Sequence, residues 1–130
     1  MIREVSDEFK KAILLSLAYQ DKKYVKEAFD YAIVTTYRKK NNEYIPCKSA
    51  RVSKRSVKVE VYPSIVSIRV YVPKRLLRKI SQDTYKLDRP IKAVLYKDSK
   101  EVLSLMLDNT YITVSRKQKL HLSYTVWTKF

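Results

Sequence analysis

The sequence predicts an α+β protein, in which an N-terminal helical hairpin packs on a mainly antiparallel sheet of five or six strands, with one short basic helix inserted. Three observations favour this class. Residues 6–42 repeat apolar side chains at helical spacing, most of the later chain alternates with a period of two, and Pro73 begins a short stretch that is again helix-like. The 130 residues, 45% of them apolar, are expected to form a single domain over residues 1–130.

The first predicted element is the helical hairpin over residues 6–42. Ser6 is a suitable N-cap, and a polar break at residues 20–23 separates two apolar stripes. The second stripe consists of Val25, Ala28, Phe29, Ala32, Ile33 and Thr36. Three cations and then Asn41-Asn42 suit the end of a helix, because asparagine tolerates a left-handed backbone. One long bent helix is the alternative, because no glycine or proline forces a break.

Strands are predicted from residue 57 onwards. Residues 57–61 and 66–72 flank Pro63-Ser64 and predict a hairpin with one apolar face and one polar, tyrosine-bearing face. Residues 74–82 are expected to form the short helix. An antiparallel meander is predicted from four further runs: 91–97, 102–107, 111–116 and 120–127. Asp98 and Glu101 have capping-box spacing, so residues 101–107 stay open between strand and helix.

The chain contains no glycine, which excludes several kinds of functional loop. Walker and dinucleotide-binding loops, the hydrolase nucleophile elbow, the EF-hand and the KH clamp all require glycine for close backbone approach or tight turns. Turns are instead expected at Asn41-Asn42, Pro63-Ser64, Asp98-Ser99 and Asp108-Asn109.

Catalytic and metal chemistry is also poorly supported. Cys47 and His121, the single cysteine and the single histidine, cannot supply a structural zinc site, and no third residue is identifiable to orient them as a catalytic pair. Asp88 with Asp98-Ser99-Lys100 faintly matches a metal-dependent nuclease pattern, but the latter three fall in a predicted turn. The sequence therefore predicts a non-enzymatic protein without a cofactor or metal.

The N-terminus predicts an intracellular protein. It is charged, and the apolar run that follows, residues 12–18, is too short for a signal peptide or a membrane span. A single cysteine allows no intrachain disulfide, which agrees with a reducing compartment.

The charge balance points to an anionic partner. The chain carries 28 Lys+Arg against 13 Asp+Glu, a formal net charge of +15, and residues 43–90 hold 12 of those cations and 4 of those acids. A strongly basic surface attracts polyanions such as nucleic acid.

Two basic elements account for much of this excess. One is a predicted loop over residues 47–56, which contains Lys48, Arg51, Lys54 and Arg55 and no acid. The other is the predicted helix, on which four cations fall within an arc of ~140° while Leu76, Leu77 and Ile80 fill the opposite face. Those four cations are Lys74, Arg75, Arg78 and Lys79.

The polar face of the 57–72 hairpin is a third candidate. Alternation places Lys58, Tyr62, Arg69 and Tyr71 on that face, and Tyr111 is a candidate to join them from a later strand. Aromatic rings among cations on a sheet can stack on the bases of single strands. For any one ring the plainer interpretation is favoured, that tyrosine is a good strand former and the ring simply covers a helical layer.

In composition the chain resembles the small basic proteins of crenarchaeal viruses. Lys, Arg, Tyr, Val and Ile are abundant, and Asn, Gln, Cys, Met and Gly are scarce across all 130 residues. Scarcity of thermolabile side chains suits a hot habitat. The resemblance implies a viral protein acting in the host cytoplasm that binds DNA or RNA, builds virions, or inhibits host factors such as CRISPR complexes.

The sequence thus predicts a nucleic-acid-binding protein that contacts phosphates through the basic loop and the basic helix. The alternative is a virion protein or inhibitor that binds a host or viral protein complex. No membrane partner is expected. A homodimer, DNA or RNA, and single or double strands all stay open, although the tyrosines slightly favour single strands.

Overall fold

The computed structural model describes residues 29–61, 65–108 and 111–127, and this part of the chain is almost entirely β-structure. Two single 3₁₀ turns, Lys54–Ser56 and Lys74–Leu76, are its helical elements. The ten strands are β1 (Tyr31–Lys40), β2 (Glu43–Ser53), β3 (Val57–Val61), β4 (Ile65–Tyr71), β5 (Arg78–Lys79), β6 (Thr84–Leu87), β7 (Ile91–Lys97), β8 (Lys100–Leu107), β9 (Ile112–Ser115) and β10 (His121–Trp127).

The strands form three antiparallel sheets. The four-stranded sheet has the order β2-β1-β7-β8, a second sheet has the order β10-β4-β3, and a small sheet has the order β5-β6-β9. Each sheet contributes apolar side chains to one core, for example Val34 and Leu95 from the first, Ile68 from the second and Leu87 from the third.

The predicted α+β fold is wrong for the described residues, because β1 lies where the second helix was expected. In a helix Ile33 would face the core and Val34 the solvent, whereas here Val34 is fully buried and Ile33 is half-exposed. Ala32 and Thr36 are buried in β1, and the predicted helix would have buried both of them as well. Their burial therefore does not distinguish a helix from a strand. The β-branched run Ile33–Thr36 and pairing on both sides favour the strand. Phe29 of that stripe is buried as well, just before β1, whereas the first predicted helix and the start of the stripe, residues 6–28, lie outside the described residues.

The predicted short helix over residues 74–82 is also wrong. One 3₁₀ turn, Lys74–Leu76, is followed by β5, and β5 pairs with β6. No acid lies in the first turn and no side chain caps it. A helix would also set Lys74 beside Arg78 and Arg75 beside Lys79 at i,i+4, where like charges repel.

The predicted basic loop over residues 47–56 is mostly strand, because β2 continues to Ser53. The predicted meander is wrong beyond its first hairpin. β7 pairs with β8, but β9 pairs with β6 and β10 pairs with β4.

Several predictions are confirmed. Residues 57–61 and 65–71 pair antiparallel as β3 and β4. Residues 101–107, which the sequence left open between strand and helix, lie in a strand. Asn41-Asn42 and Asp98-Ser99 are tight turns with φ between 51° and 64°. Asn41-Asn42 therefore has the left-handed backbone expected at a helix end, but it joins two strands. Pro63-Ser64 and Asn109 lie outside the described residues.

Candidate nucleic-acid interface

A basic cleft lies between the four-stranded sheet and the small sheet. Its volume is about 220 Å³. Three leucines and Thr36 form its apolar base, and its charged lining consists of Lys48, Arg78, Lys86, Asp88 and Arg89. Four cations thus face one carboxylate, and this arrangement suits an anionic ligand.

Local structure fixes two walls of the cleft. Thr36 is 3% exposed and joins β1 to β2 at this point, because the Lys48 N–H donates to Thr36 Oγ1 at 3.2 Å. On the opposite wall Arg78 and Lys86 are direct partners in the β5–β6 pair. Partners in an antiparallel pair share a face, so these two cations lie side by side.

The single acid of the cleft neutralises little of its charge. Asp88 oxygens lie 3.7 Å from Arg78 Nη1 and 3.7 Å from Arg89 Nε, and all three side chains are partly exposed. Pairs of this length and exposure are weak, so phosphate oxygens can compete with Asp88 for both guanidinium groups.

An aromatic ring stands beside the cleft. Lys86 Nζ lies 3.8 Å from the ring centroid of Tyr111, and Tyr111 is 63% exposed. The sequence analysis placed Tyr111 with the 57–72 hairpin, whereas the structure places it next to a cleft cation.

The end of the β1–β2 hairpin extends beyond its neighbours and forms a two-stranded arm, residues 37–47. β1 pairs with β7 as far as Thr36, the Tyr37 N–H still donates to the Pro90 carbonyl at 2.8 Å, and from Arg38 onwards β1 pairs with β2 alone. The arm carries Arg38, Lys39 and Lys40 against one acid, Glu43, and all four are exposed. Alternation places Arg38 and Lys40 on the same side of β1 as Thr36, which lines the cleft.

The arm is held to the body of the protein by Tyr44. The Tyr44 hydroxyl donates to Asp108 Oδ2 at 2.6 Å, and its ring meets Tyr37 edge-on at 6.3 Å. The bond to Asp108 raises the pKa of Tyr44 above its ordinary value, because the carboxylate favours the protonated phenol. The arm is therefore oriented relative to the cleft.

The four cations of the predicted basic loop are not brought together. Lys48 lines the cleft, but β2 carries the chain away from it to Lys54 and Arg55 in the 3₁₀ turn. Five residues of strand separate Lys48 from Lys54, a distance of roughly 17–20 Å. Arg51 lies between them, with its guanidinium carbon 3.9 Å from the Tyr31 ring, and Tyr31 stacks on Tyr96.

The four cations of the predicted helix are divided in the same way. Arg78 lines the cleft, and Lys79, its neighbour in β5, is expected on the other face of the small sheet. Lys74 Nζ donates to the Arg116 carbonyl at 2.5 Å and lies 5.4 Å from the Tyr85 ring centroid. Arg75 is exposed in the 3₁₀ turn.

Three predicted residues do meet on the outer face of the β10-β4-β3 sheet. Lys58 and Arg69 are direct partners, and Tyr71 follows Arg69 on the same face. His121 and Lys119 join this group, with ring and ammonium 6.0 and 5.7 Å from the Tyr71 ring centroid. Lys58 Nζ lies 2.9 Å from Glu60, and the hydrogen bond between them raises the pKa of Lys58. Tyr62 lies outside the described residues.

Sequence reasoning missed Lys86 and Arg89 in the cleft and the three cations of the arm. Lys86 and Arg89 are isolated basic residues in the sequence, and only the pairing of β6 with β5 brings them to Arg78. The arm was detectable, because Asn41-Asn42 between two β-branched or aromatic runs is a hairpin signal.

The groups considered for catalysis are placed as follows. Asp88 precedes β7 and Asp98 follows it, so the strand separates these carboxylates by its full length. The Cys47 thiol donates to the Ile45 carbonyl at 3.6 Å, and His121 contacts Tyr71. Among the described residues, no cluster of three His, Cys, Asp or Glu side chains could hold a metal ion.

Comparison with protein-family models, curated proteins and solved structures finds no match. Within the described residues, no helix has the length and apolar character needed to cross a membrane.

Proposed function

We propose that this chain is a non-enzymatic nucleic-acid-binding protein that acts in the host cytoplasm and holds phosphates in the basic cleft. The observation that carries the proposal is the convergence of Lys48, Arg78, Lys86 and Arg89 around a single acid. These cations come from separate parts of the chain, so clustering along the sequence does not explain their meeting. The formal net charge of +15 adds a long-range attraction for polyanions.

The chemistry of the cleft favours phosphates over other anions. Arginine presents paired N–H donors that match two oxygens of one phosphate, and lysine adds a mobile point charge. The exposed Tyr111 ring beside Lys86 offers a surface on which a base can stack.

A salt titration with labelled nucleic acid tests the proposal. If about six cations contact duplex phosphates, the slope of log K against log salt should be near −5. Neutralising three of the cleft cations, as Lys48→Gln, Arg78→Gln and Lys86→Gln together, should make the slope shallower by between two and three units, or about 0.9 per contact.

The matched control removes the same charge away from the cleft. Lys92→Gln, Lys100→Gln and Lys117→Gln together change three lysines that do not line it. This control should alter the slope by less than about one unit. Absence of binding at low salt, or a flat salt response, would contradict the proposal and favour the protein-binding alternative. Equal losses in both variants would show that the cleft is not the site.

A further inference from the structure

The arm, residues 37–47, differs in shape from the rest of the four-stranded sheet. Beyond Thr36 its four paired rungs run from Tyr37 opposite Pro46 to Lys40 opposite Glu43. Four residue pairs make the arm ~13 Å long along its strands, and the backbones of its two strands are ~4.8 Å apart. The arm is thus a narrow two-stranded ribbon at the end of the sheet, held to the body of the protein near its tip by the Tyr44–Asp108 hydrogen bond.

The dimensions and charge of this ribbon match one groove of DNA. The B-form major groove is about 12 Å wide and 8.5 Å deep, and it admits a two-stranded β-ribbon. Arg38, Lys39 and Lys40 are exposed along one strand, and amide side chains occupy the tip at Asn41 and Asn42. Cations can meet phosphates on the groove walls, while amides suit the exposed edges of bases.

The arm is also prepared for insertion. The Tyr44–Asp108 hydrogen bond, one residue pair from the tip, and the Tyr37–Tyr44 ring contact hold the arm in place, so little ordering remains to oppose binding. Alternation places Arg38 and Lys40 on the same side of β1 as Thr36, which lines the cleft. When the arm lies in a groove of duplex DNA, the phosphate backbone of that duplex is therefore close to the cleft cations.

We infer that the β1–β2 arm enters the major groove of double-stranded DNA, so that duplex DNA is the preferred partner. The inference rests on the proposed function and deepens it. A-form RNA has a deep, narrow major groove that side chains cannot read, and a single strand has no groove. The arm should therefore contribute to binding of DNA duplex and not of the other two.

The test compares a DNA duplex, an RNA duplex of the same sequence and a single DNA strand. The arm variant combines Arg38→Gln, Lys39→Gln and Lys40→Gln, all at exposed positions, and the control is again Lys92→Gln, Lys100→Gln and Lys117→Gln. The arm variant should weaken DNA-duplex binding roughly tenfold more than the control, and make its salt slope shallower by about two to three units. Its binding to RNA duplex and single strand should fall no further than that of the control.

Chemical footprinting gives a second readout that does not depend on affinity. Dimethyl sulfate methylates guanine N7 in the major groove and adenine N3 in the minor groove. At saturating concentration the unmodified protein should protect guanine N7, and the arm variant should lose that protection while circular dichroism shows it folded.

The outcomes separate the two proposals. Equal losses on all three nucleic acids, or protection of adenine N3 alone, would overturn the arm inference while binding through the cleft stands. Tight binding to DNA duplex that is unaffected by the arm variant would overturn it as well. Failure of the unmodified protein to bind any of the three would overturn both.

Discussion

The tight turns show how single residues replace glycine in this chain. Asn41, Asn42, Asp98 and Ser99 adopt positive φ, which costs residues with a Cβ atom about 1–2 kcal/mol each. Asparagine and aspartate reduce that cost by hydrogen bonding locally, and this preference is why both turns could be predicted from the sequence. The element that each turn joins could not be predicted from the turn alone.

Asp30 stabilises the second of these turns and gives a prediction on pH. Its Oδ2 accepts from the Asp98 N–H at 2.9 Å, and its Oδ1 lies 3.5 Å from Lys97 Nζ. The bond from the Asp98 N–H, aided by Lys97, holds the pKa of Asp30 below its ordinary value. A lowered folded-state pKa means that the stabilisation is complete above the unfolded pKa, near 3.9, and is lost as the pH falls through the folded value.

We therefore expect Asp30→Asn to lower the free energy of unfolding at pH 7, by less than ~1 kcal/mol because the pair is half-exposed. The difference from the unmodified protein should shrink as the pH falls from ~4 towards 2, where Asp30 becomes protonated. Urea unfolding across this range measures it. A difference that stays constant with pH would show that the carboxylate charge contributes nothing.

At the scale of elements, strands could be predicted where apolar and polar residues alternate strictly. The prediction was wrong where the same apolar residues fit both the two-residue repeat of a strand and the 3.6-residue repeat of a helix. β3 and β4 alternate apolar residues with polar ones or tyrosine, and β7 buries every second residue from Ile91 to Leu95, a set that one helix face cannot bury. In β1, Ala32 and Thr36 fit the helical and the strand spacing alike, and only the burial of Val34 and the exposure of Ile33 distinguish the two. Lys48 and Arg78 of the predicted site line the cleft, whereas Lys86 and Arg89 required knowledge of strand pairing.

The 74–80 segment gives a prediction that separates its predicted helix from the observed turn and strand. A helix would bury Leu76, Leu77 and Ile80 on one face, but Leu77 is 8% and Ile80 55% exposed. Leu77→Ala should lower the free energy of unfolding by about 2–4 kcal/mol, because it leaves a cavity in the core. Ile80→Ala is the matched control and should cost less than ~1 kcal/mol. Comparable losses in urea unfolding would contradict the observed arrangement.

At the scale of the whole molecule, distant pairings could not be predicted from one sequence. β1 joins β7 and β4 joins β10, and each pairing brings together residues 50 or more positions apart. Local alternation identifies a strand but carries no information on its partner, so neighbouring strands were assigned to each other as a meander. The cleft is equally hidden from the sequence, because its walls belong to two different sheets, the four-stranded sheet and the small sheet.

The net charge gives the last prediction, in which salt acts oppositely on folding and on binding. A formal charge of +15 on a compact chain destabilises the folded state, because like charges lie closer together than in the unfolded chain. Two charges 10 Å apart repel by about 0.4 kcal/mol in water, and ~0.2 M salt screens most of this interaction.

Raising salt from ~20 to ~200 mM should therefore increase the free energy of unfolding by on the order of 1 kcal/mol. Over the same range the affinity for nucleic acid should fall by several orders of magnitude, because each released counterion gains less entropy when the bulk salt concentration is higher. Urea unfolding and binding titrations in matched buffers measure both, with sodium chloride chosen over sulfate so that no divalent anion occupies the cleft. If salt left stability unchanged while weakening binding, the excess cations would be spaced too widely to repel one another, and the basic surface would act on its ligand alone.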